Sequence, residues 1–194
     1  YQTLLTIWSA SQAQRLNLNL TGIQLSGELV DLYQNQQGGT ALISLTAQSL
    51  ISGKVPKYHS LMLPWLRHLL GCAAGLNLHS FVIGNDGILK IAIVEQLEAQ
   101  AALQTLLAIW QQGLQAPLPV AIKTAFSLLA SDEFKAQQTY YGSERQLGEI
   151  DYDLYLRRFY PNFADLLADG FVETAKQLYG MAFDWIEIEA ELSA

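Results

Sequence analysis

The chain has 194 residues, 51% of them hydrophobic, a formal net charge of −7 and a single cysteine. That length supports one compact domain whose core needs no disulfide or metal staple. No apolar run approaches the roughly 18 residues that span a bilayer, and no signal peptide precedes the first strand pattern, so a membrane or leader-directed class is not expected. Tyr1 stands where a translated protein would carry Met, which points to a C-terminal fragment of a longer polypeptide. Cys72 lies in the apolar stretch Leu69–Leu76 and is expected to be a buried, inert thiol in a reducing compartment.

Leu16, Leu18 and Leu20 alternate with Asn17 and Asn19, the pattern of a half-buried strand. A second strand is predicted over Ile23–Tyr33 and a third over Thr40–Thr46, joined by the polar, Gly-ended turn Gln34–Gly39. Together they form an antiparallel meander. After a loop over Ala47–Val55, a helical run extends from about Pro56 to Gly75, with Leu61, Leu63, Leu66, Leu69, Leu70 and Ala73 on its buried face. Pro64 is expected to kink or restart this helix, and Gly75 to stop it. Ser80–Ile83 and Ile88–Ile93 form a hairpin about Gly84-Asn85-Asp86-Gly87. A long amphipathic helix follows from Glu95 to about Gln112, then an extended Gln115–Pro119 connector. Helices are predicted over Val120–Ala130, Asp132–Tyr141, Asp151–Tyr160 and Phe163–Gly180, with a polar loop at Gly142–Gly148 and a weak last strand over Phe183–Glu189. The fold class is therefore α/β (α+β): a mixed sheet built from an N-terminal meander, flanked by helices, and a helical C-terminal half, in one domain covering residues 1–194.

Charge divides the chain. Residues 1–94 hold five Lys/Arg against three Asp/Glu, whereas residues 95–194 hold six against fifteen. Lys and Arg supply most non-specific nucleic-acid affinity, so any DNA contact is expected from the first half. The basic stretch Lys54, Lys57 and Arg67, with His59 and His68, is the candidate phosphate-contacting surface.

Enzymatic motifs are sparse. His59, His68 and His79 are scattered and make no zinc-ligand spacing. No Gly-x-Ser-x-Gly or phosphate-binding loop occurs, Cys72 has no basic neighbour within two residues, and no cofactor is implied. Glu149, Asp151 and Asp153 precede a helix, where Asp151 or Asp153 is expected as an N-cap rather than a metal ligand. The strand–strand–helix order of residues 23–75 is that of a metal-dependent nuclease core. Such a core holds Mg²⁺ with carboxylates from successive strands beside a lysine. Val30, Ser44 and Thr46 stand at those places. Glu28 and Asp31 flank the first of them, and only a strand bulge would turn Asp31 toward the old metal site.

Three groups of residues carry a family resemblance: Trp65–Gly75, Gly113–Pro119 after an Ala/Leu/Gln-rich helix, and Tyr140-Tyr141-Gly142 followed by Gly148-Glu149 and Asp151–Arg158. Together they resemble the C-terminal domain of RecC, the gamma subunit of exodeoxyribonuclease V, from about Leu16 to Trp185. The resemblance implies a PD-(D/E)XK nuclease-like fold without the catalytic residues, and no catalytic or metal site. It implies partnership with RecB-like and RecD-like subunits and a DNA end in a helicase–nuclease that processes double-strand breaks, in a bacterial cytoplasm. Against the family's active relatives, the Gly-x-x-Asp pattern of the first strand becomes Gly27-Glu28-Leu29-Val30, and Asp-x-Lys becomes Ser44-Leu45-Thr46. Two alternatives stand beside a scaffold role: an active Mg²⁺-dependent nuclease of the same fold, and a pure protein-interaction module.

Overall fold

In a computed structural model of the chain, residues 7–191 are described. They fall into two compact units, residues 7–104 with 184–191, and residues 105–183.

In the first unit, a short strand β1 (Ser9–Ala10) precedes β2 (Gln14–Leu20), whose Leu16, Leu18 and Leu20 are buried while the alternate residues are exposed. β2 pairs along its whole length with β3 (Ile23–Leu29). The two-residue turn between them has positive φ at both Thr21 (50°) and Gly22 (79°), the primed geometry that matches strand twist. This hairpin is a two-stranded sheet of its own. The strand predicted over Ile23–Tyr33 is thus two strands. The chain breaks at Val30 and Asp31, where Asp31 takes a left-handed φ of 60°, and resumes as β4 (Leu32–Gln34) in a different sheet. The apolar alternation changes phase at the break: Leu29 and Leu32 are three residues apart, yet both are buried, each in its own sheet.

β4 turns through Asn35, whose Oδ1 accepts from the N–H groups of Gln37 (3.0 Å) and Gly39 (2.7 Å), into the antiparallel β5 (Thr40–Leu45). The predicted loop after it contains a small hairpin, β6 (Ile51–Ser52) and β7 (Val55–Pro56), again on a primed turn with Gly53 at φ 56° and Lys54 at φ 70°. Pro56 ends this hairpin instead of opening a helix. A 3₁₀ turn over Tyr58–Ser60 leads to α1 (Met62–Ala73). Pro64 neither kinks nor restarts α1, since it lies in the first turn, where its missing N–H would have no intrahelical acceptor. Gly75 does stop the helix. At φ 89° it donates to Cys72 O (2.9 Å) while Leu76 N donates to Gly71 O (3.1 Å), the paired bonds of a Schellman motif.

β8 (Leu78–Ile83) runs parallel to β5, and β9 (Gly87–Ile91) returns antiparallel to β8. The predicted last strand is β12 (Ile186–Glu191), antiparallel to β9 at the sheet edge. The resulting six-stranded mixed sheet has the order β1-β4-β5-β8-β9-β12. One face buries Trp8, Ala41, Ile43, Phe81, Ile83 and Ile88. The other carries Leu42, Ser80, Val82, Leu89 and Ile91, and α1 packs on it. The buried stripe of α1 is Trp65, His68, Leu69, Cys72 and Ala73, the i, i+3, i+4, i+7, i+8 pattern. Leu63 and Leu66, expected on that stripe, are exposed. A helix apolar on most sides hides its inward face from periodicity alone.

The second unit is helical, as expected. It holds the second half of α2 (Gln96–Gly113), then α3 (Ile122–Ala130), α4 (Glu133–Tyr141), the hairpin β10 (Gly142–Ser143) and β11 (Gln146–Leu147), α5 (Glu149–Tyr152), α6 (Leu154–Phe159), α7 (Phe163–Ala168) and most of α8 (Phe171–Trp185). Tyr140, Leu156, Tyr160, Phe163, Leu166 and Phe171 form its core. The helix predicted over Asp151–Tyr160 is split by the extended Asp153, whose Oδ1 accepts from Tyr155 N (2.8 Å) as the N-cap of α6. Asp151 accepts from Gly148 N (2.8 Å) one turn earlier.

Candidate functional site

The predicted site residues lie on β5, on α1, and on two connections: the Val30–Asp31 break and the β6–β7 hairpin. On β5, Ser44 pairs with Val82 across the parallel ladder and follows Leu42 by two residues, so it shares the face that α1 covers. Its hydroxyl is buried and has no hydrogen-bond partner among the described residues. Thr46 lies just past the strand end, where its Oγ1 accepts from Gln48 N (3.2 Å). Val30 is exposed at the strand break.

Asp31 does not sit in a bulged strand. Its left-handed backbone carries the chain from one sheet to the other, and its carbonyl accepts from Ile43 N (3.2 Å). Its carboxylate meets Arg67 Nη2 at 3.1 Å, and the same nitrogen donates to Val30 O at 2.6 Å. One guanidinium from α1 thus clamps both residues of the break and neutralises the acid nearest the expected metal position. Glu28 lines a groove with Arg67, Leu16 and Leu70. Among the described residues, no three His, Cys, Asp or Glu side chains gather as they would around a metal ion.

Lys54 and Lys57 stand at the turn of the β6–β7 hairpin and just past its second strand, and Arg67 is on α1. Lys54 is exposed at the tip of the β6–β7 turn. Lys57 is half-buried, and its ammonium donates to Ser49 Oγ (2.7 Å). Ser49 Oγ in turn donates to Asp86 Oδ2 (2.5 Å). Asp86 also accepts from Leu50 N (2.7 Å) and Ile51 N (3.0 Å), and these bonds, the Ser49 hydroxyl foremost, hold its carboxyl down at about 2. Sequence identified Asp86 only as a turn former. The structure makes it the clamp that holds the loop before β6 to the β8–β9 turn.

His68 is a correction. It follows Arg67, but the two point to different sides of α1. Arg67 reaches the surface, while His68 is fully buried, with Nδ1 2.8 Å from Ser80 Oγ and Nε2 3.4 Å from Cys72 Sγ. Burial lowers its pKa to about 4, so the ring is neutral at physiological pH and out of reach of a phosphate. Burial likewise pushes the Cys72 thiol up, consistent with an inert cysteine. The apolar residues Leu69, Leu70 and Ala73 beside this i, i+4 pair are its sequence signal.

In the second unit, Glu149 is buried and gives both carboxylate oxygens to the start of α3: Oε1 to Lys123 N (2.9 Å), Oε2 to Thr124 N and Oγ1 (2.7 Å each). Ala121 provides no side-chain cap there, so Glu149 serves as the N-cap from 25 residues away.

A family model, the RecC C-terminal domain, matches residues 1–133. The match takes in the six-stranded sheet up to β9, α1, α2 and α3. The resemblance drawn from sequence extends further, to Trp185, and its last strings, from Tyr140 onward, lie outside the match. No curated protein matches the chain.

Proposed function

This chain belongs to the RecC C-terminal domain family, and we propose that it acts as a non-catalytic, nuclease-like scaffold and DNA-handling element. RecC is a subunit of exodeoxyribonuclease V, the RecBCD complex of DNA repair and recombination. In this reading the chain docks RecB-like and RecD-like subunits at a duplex or forked DNA end in the bacterial cytoplasm. No described helix is long and apolar enough to cross a membrane.

One observation carries the non-catalytic part. The strand that would hold an acid and a lysine carries Ser44, with Thr46 just past its end, and of the two flanking acids, Glu28 and Asp31, Asp31 is paired with Arg67. Two hydroxyls are weak ligands for a hard cation, and an ion-paired carboxylate is a poor one. The order β4, β5, α1, then β8 parallel to β5 supports the comparison with a nuclease core. For DNA, Lys54 is the leading phosphate contact, because its exposed side chain sits on a stiff primed turn. Lys57 and Arg67 are secondary, each already engaged by protein oxygen atoms.

The test is co-purification of the chain with tagged RecB-like and RecD-like subunits. Stoichiometric retention by either is expected. Retention by neither removes the scaffold role.

A further inference from the structure

The second unit contains a cavity of about 490 Å³ formed by the start of α3, one side of α4 and the β10–β11 hairpin. We infer that this cup binds a small phosphate-bearing anion of nucleotide size. The inference rests on the lining and goes beyond the scaffold reading.

Lys123 and Lys135 supply its charge. Neither ammonium is in an ion pair among the described residues: the Lys123 ammonium lies 5.7 Å from the centre of the Tyr152 ring, and the Lys135 ammonium donates to Gln138 Oε1 at 3.1 Å. Two unpaired lysines on one cavity are conspicuous in a half of the chain with fifteen acids to six bases. Gln138, Thr139, Ser143 and Gln146 add amide and hydroxyl groups around them. One anion, Glu149, also lines the cup, but both its oxygens are taken by the three donors at the start of α3. Its charge is offset there by the helix dipole, which leaves the two ammonium groups to set the sign of the cup.

The wall is built to hold its shape. Gly142 and Gly148 lie so close that a Cβ on Gly142 would meet Gln146 O at 2.2 Å and one on Gly148 would meet Tyr140 O at 2.3 Å, and Gly142 has φ 76°. The hairpin bearing Ser143 and Gln146 is therefore fixed against the end of α4 by backbone contact that only glycine permits. The volume is within the range of small-ligand pockets, and the two lysines suit a phosphate.

The experiment is calorimetric titration of the whole chain with inorganic phosphate, with deoxyadenosine monophosphate and with deoxyadenosine. Saturable binding of both phosphate-bearing probes, and none of the nucleoside, is expected. Binding of the nucleotide alone assigns the ligand as a nucleotide and also upholds the site. Lys123→Gln with Lys135→Gln is expected to weaken binding by about tenfold or more, the loss that accompanies removal of a charge-assisted hydrogen bond. Lys176→Gln, an exposed lysine outside the cup, is expected to leave it unchanged. Circular dichroism checks that each variant is folded. No saturable binding by the unaltered chain, equal binding of the nucleoside, or binding untouched in the folded double variant overturns the proposal. Because the readout involves no partner subunit, failure here and failure of the scaffold role are separable.

Discussion

Ser44 stands on β5 where the proposed nuclease-like frame would place an acid, and its hydroxyl is buried without a partner among the described residues. A buried hydroxyl without a partner forfeits its hydration, a cost of about 1–3 kcal/mol. Ser44→Ala is therefore expected to leave stability unchanged or raise it by up to about 1 kcal/mol. Ser44→Asp, which restores an acid at this strand position, buries a carboxylate beside Leu42 and Val82 and is expected to destabilise by about 3 kcal/mol or more. Urea denaturation of the three proteins measures both. An aspartate variant as stable as the parent would mean that the site is wetter than its burial indicates. His68 gives a second residue-scale prediction. Its folded pKa, about 4, lies below the ordinary 6.5, so the unfolded chain takes up the proton first. Stability is full above pH 6.5, declines as pH falls from 6.5 toward 4, and loses about 3 kcal/mol across that window. His68→Phe with Ser80→Ala, which removes the ring and its hydroxyl partner together, is expected to flatten the curve between those pH values.

At the scale of elements, two contacts hold local structure that the sequence does not advertise. Gly71 lets α1 approach β8 and β3: a Cβ there would meet Leu78 Cδ2 at 2.8 Å and Leu29 Cδ2 at 3.1 Å. Gly71→Ala gains helix propensity but overpacks this crossing, and a net loss of about 1–2 kcal/mol is expected by thermal melting. Glu149→Gln retains size and one acceptor but gives up the charge-assisted bonds to α3, and a loss of about 1–3 kcal/mol is expected. These cases show what was legible. The α/β class, the Gly75 stop, the Gly84–Gly87 turn and the capping role of Asp153 rest on local chemistry, and local chemistry is written in consecutive residues. The break at Val30 and Asp31 shows only as a change of phase, Leu29 and Leu32 lying three residues apart, and the apolar Val30 between them hides it. Arg67 with Asp31, Asp86 with Ser49, and Glu149 with Thr124 are separated by 36, 37 and 25 residues, and nothing in a single sequence pairs them. The inward face of α1 was misassigned for a related reason: Leu63 and Leu66 are as apolar as Trp65 and Leu69, and the neighbouring sheet decides between them.

For the whole molecule, the family and the mixed sheet are shown, and the proposal is that this frame is nuclease-like and carries no metal chemistry at its expected centre. DNA handling would then depend on charge and shape. Replacing Lys54 with Glu is expected to weaken duplex binding by the chain at low salt and to reduce the slope of log affinity against log salt by about 0.9, one phosphate contact. Replacing His68 is expected to leave that slope unchanged, because the ring is buried. The most direct test of the central claim is cleavage of linear duplex DNA by the purified chain with Mg²⁺ or Mn²⁺. The account predicts no cleavage above a metal-free control, for the parent and for Asp31→Ala alike. Metal-dependent cleavage that Asp31→Ala abolishes would contradict it.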